Sequence, residues 1–147
     1  MVKGYKGSGT AQDPLLIQTV EDLMDLSRPD VGLKGYYFRQ TADIDCSALS
    51  HWTDIPFQGH YDGGGLNIQN KKIGEKFCNL FSDIQALSSI TNLKLENLNL
   101  AGNSEGSYIT HCVSNVSLIC GNATNCTIAA CQAGGSLIGN TRCSSFL

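Results

Sequence analysis

Along Phe57–Asn70 (FQGHYDGGGLNIQN) the positions Phe57, Gly59 and Tyr61 alternate onto one face, the period of a strand. Asp62-Gly63-Gly64-Gly65 then forces a tight corner, because glycine reaches positive φ without steric cost. Leu66 and Ile68 resume the alternation, and Asn70 continues their face. The pattern predicts strand, corner, strand, which by itself fits a hairpin as well as one turn of a stacked coil.

Upstream, Leu15, Leu16 and Ile17 predict a short strand after an irregular lead-in. Thr19-Val20-Glu21-Asp22 has the form of a helix start, a hydroxyl N-cap with acids in the first turn, and the helix should stop before Pro29. A brief amphipathic helix ahead of many strands is what a coil needs to cover its open first rung. Tyr36–Cys46 predicts one strand: Tyr36, Phe38, Ala42, Ile44 and Cys46 face inward, with Gln40 as the exception. Tyr37, Arg39, Thr41, Asp43 and Asp45 face out.

The second half repeats. Ile90-Thr91-Asn92-Leu93 recurs as Ile109-Thr110-His111-Cys112 and again, after the same interval, as Ile128-Ala129-Ala130-Cys131. Leu100-Ala101-Gly102-Asn103 recurs as Ile119-Cys120-Gly121-Asn122, and Ile138-Gly139-Asn140 is a third copy one residue shorter. Such a period is too short for a two-helix repeat. ITNLKLENLNLAGN superficially resembles a leucine-rich repeat, but later copies exchange the leucines for Ser, Gly and Cys, which make poor helices. The pattern therefore favours a parallel β-helix, with Ile90/Ile109/Ile128 and Leu93/Cys112/Cys131 stacked in columns. Each buried Ile or Leu contributes roughly 1.5–3 kcal/mol.

A length of 147 residues suits one domain, with 1–30 as lead-in and cap, 31–88 as early rungs and 89–147 as regular repeats. The formal net charge of −3 offers no basic footprint for nucleic acid, and no apolar run approaches the roughly 18 residues of a membrane span. MVKGYKGSG lacks the apolar core of a signal peptide. Seven cysteines cannot all pair within one chain, and mostly reduced, buried thiols are expected.

These residues resemble the GLUG-motif proteins, whose repeats look like right-handed β-helices of the pectin-lyase type. The resemblance runs from Gly7-Ser8-Gly9-Thr10 through Tyr37-Phe38, Thr41-Ala42-Asp43-Ile44-Asp45 and Trp52 to the central stretch, which looks like F-x-G-x-[FY]-D-G-x-G. Asn79-Leu80-Phe81-Ser82 departs from the family's G-L-F-G, and Gly135-Ser136-Leu137-Ile138-Gly139 carries an extra serine. The resemblance implies an all-β, right-handed parallel β-helix, a solenoid of about 19 residues per rung with a short N-terminal capping helix. Such repeats occur in surface adhesins, beside secreted proteases and in large exported proteins, and seldom carry the chemistry.

Asp43, Asp45, Asp54 and Asp62 with His51 and His60 form the acid–base set that a β-helix lyase or hydrolase would need. Solvated outer-face carboxylates, with Asp62 closing a turn, account for them more simply, and Arg39 alone supplies a nearby cation. Cys112, Cys120, Cys126, Cys131 and Cys143 with His111 show no C-x-x-C spacing, so neither metal nor cofactor is expected. Asn115, Asn122 and Asn125 begin N-x-[ST] sequons and also suit stacked amide ladders. An ice-binding threonine array fails where Ala129 follows Thr91 and Thr110.

The reading is a non-catalytic, surface or secreted interaction module that binds protein or glycan. Arg39, Asp43, Asp45 and Trp52 are its candidate contacts, with no nucleic-acid partner and no membrane insertion. A carbohydrate-active enzyme fragment and an exported virulence-type spacer are the alternatives. The repeat still runs at Gly135–Asn140, so a fragment of a longer protein is expected, or end-to-end self-association through Leu137, Ile138, Phe146 and Leu147.

Overall fold

The computed structural model describes residues 4–49, 54–69, 72–73, 76–77, 79–96, 98–115, 120–134, 138–142 and 145–146. Strand β1 (Leu15–Ile17) leads into helix α1 (Val20–Met24), one 3₁₀ turn over Asp25–Ser27 and helix α2 (Pro29–Gly32). Thr19 caps α1 in a full capping box: its hydroxyl accepts from the Asp22 amide at 3.1 Å, and the Asp22 carboxylate accepts from the Thr19 amide at 3.2 Å. The expected stop before Pro29 holds, and Pro29 then opens α2 at a position where a missing N–H costs nothing.

The remaining chain is strand: β2 (Tyr37–Gln40), β3 (Ile44–Asp45), β4 (Pro56–Phe57), β5 (His60–Asp62), β6 (Asn67–Gln69), β7 (Lys72–Ile73) and β8 (Lys76–Phe77). Then come β9 (Asn79–Ile84), β10 (Ser89–Thr91), β11 (Lys94–Glu96), β12 (Asn99–Glu105), β13 (Tyr108–Thr110), β14 (Val113–Ser114) and β15 (Cys120–Thr124). Strands β16 (Thr127–Ala129), β17 (Gln132–Ala133), β18 (Ile138–Arg142) and β19 (Ser145–Phe146) complete it. From β2 onward, with β7 and β8 set aside, the chain visits three parallel sheets in fixed rotation. The first sheet runs β1-β2-β5-β10-β13-β16-β19, the second β3-β6-β11-β14-β17 and the third β4-β9-β12-β15-β18.

Register confirms the columns. Ile90 pairs with Ile109 and Ile109 with Ile128 at a constant interval, and Phe146 continues the column after a step one residue shorter. Leu15, Phe38 and Tyr61 precede Ile90 in the same column. Asn103, Asn122 and Asn140 are likewise in register, and the last step is the shorter one expected. The step from Tyr61 to Ile90 is about half as long again as a later repeat. That excess carries the antiparallel β7–β8 pair, a departure the alternation did not suggest.

Inward columns form one core, with Phe57, Tyr61, Phe81, Ile90, Leu93, Ile109 and Cys112 all buried. Phe57 stacks on Phe81 at 4.6 Å. Tyr36–Cys46 is two strands rather than one, β2 and β3, in different sheets. An odd number of corner residues separates them, so Gln40 and Ile44 keep the same parity and the alternation passes through the bend unbroken. Gln40 is not an exception to the inward face. It is buried, accepts from the Tyr61 hydroxyl at 2.8 Å, and donates to the carbonyls of Ala42 and Asn67 at 2.9 Å each.

Two corner columns take left-handed backbone. Leu87, Gly106 and Asn125, each one repeat on from the last, have φ of 68°, 55° and 53°. Asn92, His111 and Ala130 form the other, with φ of 55°, 54° and 53°, and the longer glycine corner of the preceding rung turns at Gly64 and Gly65, φ 62° and 76°. The glycine corner read from Asp62–Gly65 is therefore the longer counterpart of a corner that later repeats build with Asn, His and Ala.

Candidate functional site

The outward side chains of the first sheet form two columns that run along the stacking direction. Tyr37, His60, Ser89, Tyr108 and Thr127 make one; Arg39, Asp62, Thr91, Thr110 and Ala129 make the other. Tyr37 and His60 stack with ring centroids 4.2 Å apart and planes at 22°. The His60 Nδ1 is 2.8 Å from the Ser89 hydroxyl. Partial burial lowers the His60 pKa below the usual imidazole value, so the ring is neutral at neutral pH. Thr110 donates to Thr91 at 3.0 Å. Tyr37 and Tyr108 stand three strand spacings apart, about 14 Å at about 4.8 Å per strand, and both are exposed, at 38% and 59%.

Arg39 meets Asp62 at 3.3 Å, an exposed pair worth at most about 1 kcal/mol. The same carboxylate accepts from the Gly64 amide at 2.9 Å, closing the corner as the sequence predicts. A hollow of about 180 Å³ lies over Tyr37, Arg39, His60, Asp62, Ser89 and Thr91. Arg39 and Asp62 also border a second, broader hollow of about 660 Å³, which crosses the corner to Asn92, Lys94 and His111.

The other expected contacts divide. The Asp43 carboxylate accepts from the Asn67 amide at 2.9 Å and Asp45 from the Ser47 amide at 2.9 Å, so both are occupied in shaping the chain. Arg39 is the expected contact that lines a hollow. Trp52 and His51 lie outside the described residues, as do Leu137 and Leu147. Ile138 and Phe146 lie on β18 and β19, edge strands of their sheets among the described residues. The structure places Tyr37 and His60 over one hollow and Lys94 and His111 over the other, groupings that sequence reading did not make. Tyr37 and His60 pair in register across an interval longer than the later repeat, so the regular period does not align them.

On the third sheet an amide ladder is exposed. Asn122 donates to Asn103 at 2.8 Å and Asn103 to the Asp83 carboxylate at 3.1 Å. A hollow of about 530 Å³ beside it reaches Gln85, Glu105 and Thr124. Inside, Cys112, Cys120 and Cys131 are free thiols, and Cys46 and Cys126 are buried as well. Cys112 is buried and Cys131 half-buried, as expected of the column. The neighbouring thiol and burial hold Cys112 well above the usual thiol range, while the same neighbour pulls Cys131 below it. Both sulfurs also approach main-chain carbonyls, Thr110 for Cys112 and Ala129 for Cys131, each at 3.4 Å. Those contacts favour the thiol and oppose full ionisation of Cys131. Among the described residues no three His, Cys, Asp or Glu side chains converge as a metal site.

The outer face of the first sheet thus carries rings, hydroxyls and the Arg39–Asp62 ion pair, with the Asp62 carboxylate also engaged by a main-chain amide. Over 103 aligned residues the chain is 38% identical to Halomucin of Haloquadratum walsbyi (strain DSM 16790 / HBSQ001), a match covering 62% of this chain and 1% of that protein. No family model matches the chain, and no solved structure does.

Proposed function

We propose that the three parallel sheets close into a right-handed parallel β-helix of the GLUG type, serving as a non-catalytic binding module of a surface-exposed or secreted protein. Fixed rotation among three parallel sheets supports the coil, and the strong right-handed preference of parallel crossovers supports its hand. The likeness to a stretch of a protein named as a mucin supports an extracellular setting. Among the described residues no helix is long and apolar enough to cross a membrane. Its ligand is a protein or a glycan.

The observation that carries this reading is the use of the acids. Asp43, Asp45 and Asp62 each accept a backbone N–H, leaving among them no pair of opposed, uncommitted carboxylates to protonate a leaving group and activate water. Folded protein should release no reducing ends or unsaturated products from polyuronates, yet be retained saturably on immobilised glycan or protein. Steady turnover that vanishes in a folded Asp62→Asn variant establishes the enzyme instead. The edge strands β18 and β19 support end-to-end pairing of copies as well. Sedimentation of the parent against the Phe146→Lys, Leu147→Lys variant tests that, and a parent that stays monomeric at every concentration refutes it.

A further inference from the structure

We infer that the two neighbouring hollows, which share Arg39 and Asp62 in their lining, bind an anionic polysaccharide, with a sugar ring against Tyr37 on the first sheet and a carboxylate or sulfate at Lys94 and His111 across the corner. The inference rests on the module reading above and names its ligand class and its site. Three features choose the ligand.

The first is repeat geometry. Along the columns, side chains recur at about 4.8 Å, close to the length of one pyranose residue in an extended polymer. Between Tyr37 and Tyr108 stand His60 and Ser89, with Thr91 and Thr110 alongside. A sugar chain lying along this face meets an aromatic ring at each end and ring-nitrogen or hydroxyl partners at each step between. The second is what the face lacks. The inner strands of the first sheet have their main-chain groups turned to both neighbours, so a peptide finds no free edge to extend here. The lining mixes hydroxyls, aromatic rings and an ion pair with the small apolar groups of Ala11 and Pro14, a combination that suits the polar edges and apolar faces of a sugar.

The third is charge. Among the described residues Asp62 is the one carboxylate lining either hollow, and it is neutralised by Arg39 and further engaged by the Gly64 amide. Lys94 and His111 line the same hollow across the corner, one from β11 and one from the left-handed corner residue of the next repeat. Arg39 touches Asp62 through one nitrogen, and its side chain borders both hollows. The balance over the groove is positive on a chain whose net charge is −3. That contrast selects a polymer bearing anions at sugar spacing over a neutral one.

The test is equilibrium binding of the intact chain to alginate and polygalacturonate (carboxylate arm), to chondroitin sulfate and heparin (sulfate arm), and to neutral dextran and cellulose oligomers. Variants are Lys94→Gln, His111→Asn and Tyr37→Ala, each checked for unchanged circular dichroism and melting; Asn is chosen because it tolerates the left-handed corner. At least one anionic arm should bind tenfold or more tighter than either neutral polymer and weaken with salt. Lys94→Gln and His111→Asn should each lower that affinity about two- to fivefold, and Tyr37→Ala about fivefold through lost stacking. Which anionic arm binds distinguishes a uronate from a sulfated ligand. Neutral polymers binding equally well, with Tyr37→Ala still damaging, overturn the charge assignment. Anionic binding that all three folded variants leave intact overturns the site while sparing the module. Retention on immobilised protein with no polysaccharide bound in any arm overturns the ligand class and again spares the module.

Discussion

Leu87 is a bulky side chain held at φ 68° and 79% exposed, so its conformation costs free energy that its packing does not return. A residue with a Cβ in the left-handed region pays roughly 1–2 kcal/mol. Leu87→Gly removes that strain and, because the side chain is in solvent, forfeits little burial. Glycine returns about 0.4–1 kcal/mol of freedom to the unfolded chain. The net expectation is stabilisation by about 0.5–1 kcal/mol, or about 1–4 °C in melting temperature for a chain of this size. Ala130→Gly, at φ 53° and also exposed, should behave alike. Gly106→Ala reverses the sign, since φ is +55° and the new Cβ would sit 3.3 Å from the Ala86 Cβ. Urea unfolding read by circular dichroism gives midpoint and slope together. A destabilised Leu87→Gly at unchanged slope, or a Gly106→Ala that gains stability, refutes the left-handed corner column.

Three further outcomes follow from the interior and the face. Gln40→Leu strands the Tyr61 hydroxyl and two carbonyls, and should cost at least about 2 kcal/mol in urea; adding Tyr61→Phe should recover part of the loss, and strict additivity would count against the network. Alkylation of native protein should label half-buried Cys131 faster than Cys112, which should react only after unfolding; a Cys112–Cys131 linkage in most molecules contradicts this. Folding favours neutral His60, so its contribution is intact above the unfolded value of about 6.5 and is lost as pH falls from there toward the lower folded value. His60→Gln should flatten that part of the stability curve, and an unchanged curve removes His60 as its source.

What the sequence revealed follows from where its period is regular. Ile90, Ile109 and Ile128 could be aligned by eye because nothing interrupts the constant step between them. Before Ile90 every step is longer, and the one from Tyr61 is the longest, so Leu15, Phe38 and Tyr61 share a column that no fixed window finds. Gln40 looked misplaced because a polar residue on an apolar face is explained by partners distant in sequence, here Tyr61 and Asn67. Lys94 went unnoticed and His111 was weighed only beside the cysteines, for a related reason. They belong to different sequence repeats and are brought to one hollow by a corner whose backbone conformation the side chains do not advertise.

The amide ladder of the third sheet has a direction. An amide offers both a donor and an acceptor, so a row of asparagines alone can point its hydrogen bonds either way. Asp83 removes that freedom, because an ionised carboxylate only accepts. Asn103 must therefore turn its NH₂ toward Asp83 and present its oxygen to Asn122, which is the arrangement found. One acid at the head thus sets the sense of every amide behind it, and the aligned dipoles reinforce one another along the row. Asp83→Asn would leave the same number of hydrogen bonds and erase the instruction, giving a surface whose pattern of donors and acceptors is no longer single-valued.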